Sequence, residues 1–276
     1  MSRVEGIYII AERIVKIDSI HTRVHKSCQK YAIGADSPKV SDEVESIEET
    51  TDAITSVSSP EILNKKPDIY IHTTKEDIEY EKSRSKSDEI FPDDYYEELA
   101  VHRKLSTAML DFDTFLFHGS CVAVDGKAYI FAAPSGTGKS THVRLWRQLL
   151  GDRAVMVNDD KPYIRVTDNG AIVYGTPFNG KHHLDSNINV PLDGICVLER
   201  GQKNHIEKVR KEDVYAVLLQ QTYRPNTPSD LQKTLALLDK LTFCVNLYKL
   251  SCNMEPDAAR VSYEAIHGKS DDQVAL

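Results

Sequence analysis

The sequence predicts an α/β chain of the α+β kind, built on a mixed, partly antiparallel β-sheet that carries a phosphate-binding loop. Three observations predict it. First, residues 133–141 read Ala-Pro-Ser-Gly-Thr-Gly-Lys-Ser-Thr, one residue away from the pattern G-x-x-x-x-G-K-[ST], with Ala133 in place of the first glycine. Second, this stretch lies between a β-favouring apolar run at 128–132 and a helical pattern carried by Val143, Leu145, Trp146, Leu149 and Leu150. Third, the two strands before the loop are joined by Asp125-Gly126, a hairpin turn, where an alternating βαβ order would need a helix.

Residues 5–34 hold β-rich runs, GIYIIAERIVKID and CQKYAIG, and residues 67–74 form a further strand. Between them, 36–66 carries eight acidic and three basic residues, is rich in Ser and Thr, and has neither an aromatic residue nor a glycine. It reads as a flexible acidic insertion between strands. Residues 93–110 have helical apolar spacing with acids in the first turn. Two strands joined at Asp125-Gly126 lead into the loop and its helix. A buried strand ending in Asp159-Asp160, a strand with a glycine-containing loop (171–184) and a strand at 194–201 come next. Helices are predicted at 212–223 and at 229–241, the second with Ser229 or Asp230 as N-cap. A strand at 242–250 and a last helix, with Pro256 early and Gly268 as its stop, complete the order. The chain therefore divides into an N-terminal β-rich region, 1–92, and a domain with the loop, 93–276.

Composition bounds the function. The 276 residues are 41% hydrophobic and 28% charged, enough for one large domain or two small ones. A formal net charge of −8 argues against nucleic acid or an anionic membrane as partner. The five cysteines are scattered without C-x-x-C spacing and read as reduced thiols, and the N-terminus is broken by charges as no signal peptide or membrane span is. A cytoplasmic protein is expected.

The loop's chemistry is anion binding. A helix N-terminus leaves backbone N–H groups unpaired and carries partial positive charge. Pro134, Ser135, Gly136, Thr137 and Gly138 form a loop whose amides converge on one centre. Lys139 reaches toward β- and γ-phosphates, Ser140 is placed to ligate Mg²⁺, and Thr141 continues the helix. Two further features flank the loop at about twenty residues each way: Phe117-His118-Gly119 at a strand end, and Asp159-Asp160 after the apolar run AVMVN.

This order of His118, loop and paired acids resembles the HPr kinase/phosphorylase family, whose fold is shared with phosphoenolpyruvate carboxykinases. The resemblance spans roughly residues 118–200. It implies a diverged kinase that moves the γ-phosphoryl group of ATP, with Mg²⁺, to a hydroxyl-bearing acceptor: free serine, another small molecule, or a serine in a peptide or protein. It implies Asp159 as the base, Asp160 with Ser140 as metal ligands, and Lys139 and His118 near the transferred phosphate. The exchanged assignment, Asp160 as base and Asp159 on the metal, is the less favoured alternative. Successive strand residues point to opposite faces, so both acids serve one site only if the strand ends or bulges there.

The family's glycine-rich segment tied to its phosphorylase activity and to HPr is not found here, so HPr as acceptor and the reverse reaction are not implied. Lys181, His182 and His183 read first as a basic turn, with approach to phosphate or acceptor as the alternative; Glu199, Arg200 and Arg224 fit metal or phosphate binding and surface ion pairs or helix-end cations equally. No histidine has zinc-ligand spacing. The segment NKKPD at 64–68 is one residue too long for N-K-x-D and precedes the loop, so adenine is expected over guanine. The competing reading is an ATP-binding regulatory module without phosphotransfer. A second copy of the chain remains a candidate partner.

Overall fold

The structure, a computed structural model, describes residues 3–33, 65–85, 89–180 and 182–267. The acidic insertion at 36–66, apart from Lys65 and Lys66, lies outside them, as do Lys181 and Gly268.

The N-terminal strands β1 (Val4–Ile10) and β2 (Arg13–Ser19) form an antiparallel hairpin, and β3 (Ile69–His72) adds in parallel to β2. The hairpin turns on Ala11 and Glu12, both at positive φ (48° and 60°). Its inner face, with Ile10, Val15, Ile17 and Ile71, is buried. The described part of the run CQKYAIG, residues 28–33, is not a strand. Residues 23–27 form the short helix α1 (Arg23–Ser27), and a 3₁₀ turn, Gln29–Tyr31, comes after it. Burial explains the correction: Val24, Cys28 and Tyr31 point inward at helical spacing, and only Ala32 makes a single bridge, to Tyr8. Helix α2 (Lys75–Arg84) begins at a capping box between Thr74 and Asp77. It packs on α3 (Asp93–Ala108).

Among the described residues the larger sheet has nine strands. Its order is β4 (Thr114–Leu116), β8 (Tyr163–Thr167), β9 (Gly170–Tyr174), β10 (Asn189–Arg200), β6 (Lys127–Ala132), β5 (Ser120–Val124) and β7 (Ala154–Asn158). Strand β12 (Asn246–Cys252) lies beside the second half of β10, and β11 (His205–Lys208) beside β12. β10 runs parallel to β6 and to β12, and the other pairs are antiparallel. The sheet is thus mixed, as the Asp125-Gly126 hairpin predicted, with Asp125 and Gly126 both at positive φ.

Period-2 alternation makes this sheet the middle of three layers. Cys121, Ala123, Ile130, Ala132, Ile195 and Val197 face α5 (Lys211–Gln221) and α6 (Pro228–Cys244). Val122, Val124, Tyr129, Phe131, Cys196 and Leu198 face α4 (Lys139–Leu150) and α7 (Asp257–His267). The N-cap of α6 is Thr227, whose hydroxyl accepts from the Asp230 amide, with Pro228 at the first helical position. That displaces the expected cap at Ser229 or Asp230, because proline needs no donor there. A third apolar cluster joins the small sheet to the rest: Tyr8, Val15 and Tyr31 pack with Val101 and Leu105 of α3 and with Tyr163, Tyr174 and Phe178. Among the described residues no helix is long and apolar enough to cross a membrane.

Candidate active site

The loop after β6 turns sharply into α4, and two glycines make the turn. Gly136 (φ +77°) and Gly138 (φ +123°) occupy backbone conformations that L side chains resist, and nothing crowds the place a Cβ would take. Gly138 is the N-cap residue of α4 with no side-chain cap, so the first amides of the helix are left for another acceptor. Lys139 folds back onto the Ala133 carbonyl at 2.8 Å. Burial pushes its ammonium down, and the charge of Asp160 partly offsets the effect. Arg200, the last residue of β10, donates to the Gly136 carbonyl at 2.6 Å.

Strand β7 ends at Asn158, one residue before the acids, so the condition for using both of them is met. The Asn158 side chain makes the break. Its Oδ1 accepts from the Asp160 and Lys161 amides at 2.8 and 2.6 Å, an Asx turn that curls the chain off the sheet. Its Nδ2 donates to the Thr176 carbonyl at 3.0 Å, tying the turn to the loop after β9.

The two acids then differ in surroundings. Asp159 is buried at 7% exposure; its Oδ1 accepts from the Gly180 amide at 2.6 Å, and its backbone carbonyl from Ser120 Oγ at 2.8 Å. It shares a cleft of about 430 Å³ with Ser140, Thr141, Arg144 and His182. Asp160 is held by two cationic or donor groups: His118 Nε2 at 3.0 Å on Oδ1, and Lys161 Nζ at 2.5 Å on Oδ2. Burial alone would raise its carboxyl, but the His118 hydrogen bond and the Lys161 charge outweigh that and hold it well below the usual carboxylate range.

His118 is joined to the loop as well as to the acid. Its amide donates to the Gln221 carbonyl at 2.7 Å, and the Gly119 amide donates to the Asp160 carbonyl at 2.9 Å. With the Gln221 side-chain nitrogen turned toward its acceptors, it reaches His118 Nδ1 at 3.0 Å, the His118 carbonyl at 3.2 Å and the Ala133 carbonyl at 3.3 Å. The Ala133 carbonyl thus receives both Lys139 and Gln221, and Gln221 joins the loop to His118, which holds Asp160.

The structure brings together most of the residues singled out from the sequence. The loop 133–141 adjoins His118, Asp159 and Asp160, and Arg200 reaches it too. Glu199 turns away to Lys249 at 2.9 Å. His183, at φ +52°, bonds Asn179 Oδ1 at 2.8 Å. Arg224 is exposed. Four participants were missed: Asn158, Lys161, Gly180 and Gln221. Only Asn158, an Asx residue at the end of an apolar run, carried a local signal.

No family model matches the chain, and no curated protein matches it. The chain is similar to the solved HPr(Ser) kinase/phosphatase of Coxiella burnetii, at 11% identity and a TM-score of 0.30, over 55% of this chain and 99% of that one. A likeness this loose establishes no activity.

The donor set around the loop suits a hard cation. Ser140 Oγ and the carboxylates of Asp159 and Asp160 are oxygen donors, and Asp160 is held ionised. Among the described residues no group of three or more His, Cys, Asp or Glu side chains gathers as a metal cage. Mg²⁺ bound largely by phosphates and water needs only one or two protein carboxylates.

Proposed function

We propose that this chain is an ATP-dependent kinase that transfers the γ-phosphoryl group to a hydroxyl. One observation carries the reading: a buried carboxylate, Asp159, lies in the same cleft as Ser140, at the open N-terminus of the loop helix. A module that only bound nucleotide would not need a proton acceptor there. The amides at the start of α4 and Lys139 bind the β- and γ-phosphates, and Arg200 holds the loop by its Gly136 carbonyl.

Asp159 is the base. One of its oxygens is bound by Gly180, leaving the other to take the acceptor's proton as the new O–P bond forms and the bond to the β-phosphate oxygen breaks. Asp160, with one oxygen on the Lys161 ammonium and the other on the His118 ring N–H, is a weak base and carries charge instead. Ser140 and Asp160 would hold Mg²⁺, which supplies neutralisation of charge on the transferring phosphoryl group. Lys139 stabilises the charge that develops at the leaving oxygen.

The test pairs binding with transfer. Calorimetry measures Mg-ATP affinity, and labelled ATP is offered with serine, sugars, polyols and serine-containing peptides. Lys139→Ala is expected to lower turnover at least ~10²-fold. Asp159→Asn keeps Mg-ATP affinity within a few-fold and loses transfer by roughly 10²- to 10⁴-fold. Transfer at the wild-type rate by Asp159→Asn refutes the base assignment. If ATP binds and no acceptor is ever labelled, the regulatory-module reading replaces the kinase.

A further inference from the structure

We propose that Gln221 fixes the ring orientation and tautomer of His118, with Nδ1 as acceptor and the proton on Nε2, so that His118 is a donor to Asp160. Two groups that can only accept decide the orientation of the amide. The backbone carbonyls of His118 and Ala133 converge on one end of the Gln221 amide, at 3.2 and 3.3 Å. A carbonyl oxygen at that end would face both of them with no hydrogen between, inside a residue only 6% exposed. The nitrogen must therefore be there, its two hydrogens shared among three acceptors. The third acceptor is His118 Nδ1 at 3.0 Å. A ring nitrogen that faces an amide N–H₂ carries a lone pair and no proton. The remaining ring proton is on Nε2, 3.0 Å from Asp160 Oδ1, where it completes a donor–acceptor pair.

The arrangement is stiff. Gln221 is the last residue of α5, and the backbone beside it is stapled to the end of β4: the His118 amide donates to the Gln221 carbonyl, and Phe117 bridges Thr222. The charged groups around His118 are Asp160, with Lys161 on its far oxygen, and Lys139, which shares the Ala133 carbonyl. In the proposed phosphoryl transfer, on which this role rests, His118 and Gln221 are positioning residues that aim the Asp160 carboxylate.

The experiment reads the tautomer directly. Long-range ¹H–¹⁵N correlation on the ¹⁵N-histidine-labelled full chain at pH 8 reports which ring nitrogen bears hydrogen, with the His118 signal assigned by its loss in His118→Asn. Expected for wild type is a single Nε2–H imidazole; an Nδ1–H form, or protons on both nitrogens, overturns the proposal. Gln221→Met keeps the length and removes the donor, so the signal is expected to become a mixture of tautomers; an unchanged tautomer overturns the role of Gln221. Gln221→Glu, a second variant, is expected to draw a proton onto Nδ1, and its failure to do so counts equally against it. In turnover, Gln221→Met is expected to lose roughly 10- to 100-fold in kcat, with Mg-ATP affinity within two-fold and a changed pH profile. If the tautomer is as stated and no acceptor is labelled, the kinase reading fails alone; if transfer occurs and the tautomer differs, the assignment of Gln221 and His118 fails alone.

Discussion

Arg200 reaches the loop before α4 from the end of a strand sixty-four residues further along, with a 2.6 Å bond to the Gly136 carbonyl. The loop's conformation depends on glycines at positive φ, which gain the most freedom when unbound. A guanidinium on one of its carbonyls restricts that freedom, and for the nucleotide binding proposed above this is the general route by which preorganisation raises affinity. Because Arg200 is exposed, its bond is worth less than a buried charged one. Arg200→Ala is expected to weaken Mg-ATP binding by about 1 kcal/mol, roughly five-fold, with no change in the urea midpoint. Unaltered affinity by calorimetry would show that the clamp is incidental. The same residue shows what the sequence could and could not convey. The loop, His118 and the two acids were legible because each is a short run whose chemistry lies in consecutive letters. Gln221 and Lys161 were not, since Gln and Lys are ordinary residues and their roles arise only where α5 and β4 meet the turn after β7.

At the scale of elements, the helix that begins at the loop is secured by α7. Ser262 of α7 is fully buried; its Oγ accepts from Trp146 Nε1 at 2.8 Å and meets His142 Nε2 at 3.0 Å, while it donates to the Ala258 and Ala259 carbonyls. Both partners lie on α4, and Trp146 has no exposed surface. Ser262→Ala leaves two buried donors without acceptors. It is expected to lower unfolding free energy by about 3 kcal/mol, at the usual 1–3 kcal/mol for each stranded group. A loss below about 1 kcal/mol in urea titration would mean that water or a rotated ring replaces the hydroxyl. The pattern of α4 was readable because Val143, Leu145 and Trp146 repeat at helical spacing. Elements without such a pattern were missed: β11, exposed at three of its four residues, and α2, whose Thr74–Asp77 capping box was the overlooked signal; β4 is the strand expected to end at Phe117-His118-Gly119. The misread strand at CQKYAIG has the opposite cause. Its apolar residues are β-favouring types, yet the site they fill calls for Tyr31 at the end of a 3₁₀ turn, where its hydroxyl donates to buried Asp185 at 3.1 Å.

For the molecule as a whole, the buried histidines set how stability responds to acid. The Ser262 hydroxyl hydrogen goes to backbone carbonyls, so His142 Nε2 is a donor toward it and Nδ1 is bare, buried and without a partner. A second proton would place an unsatisfied N–H in the interior, and burial accordingly pushes the His142 pKa from 6.5 down to about 4. His102 shifts the same way, chiefly through burial of its ring and then through the nearby Lys161 charge. Between those values the unfolded chain binds protons that the folded chain refuses, so stability falls as pH falls from about 6.5 toward 4. Asp160 acts with the same sign in a lower window: its folded carboxyl stays ionised below the range where an unfolded aspartate protonates, so its contribution is lost as pH drops below about 4. For His142 alone the linkage amounts to about 2 kcal/mol between pH 7 and pH 5. Urea unfolding at the two pH values is expected to show at least that loss in wild type, and a loss smaller by about 2 kcal/mol in His142→Leu, which cannot titrate. Equal pH dependence in the two chains would place the acid sensitivity outside the α4–α7 contact, in His102 against Phe178 or in Asp160 beside the loop before α4.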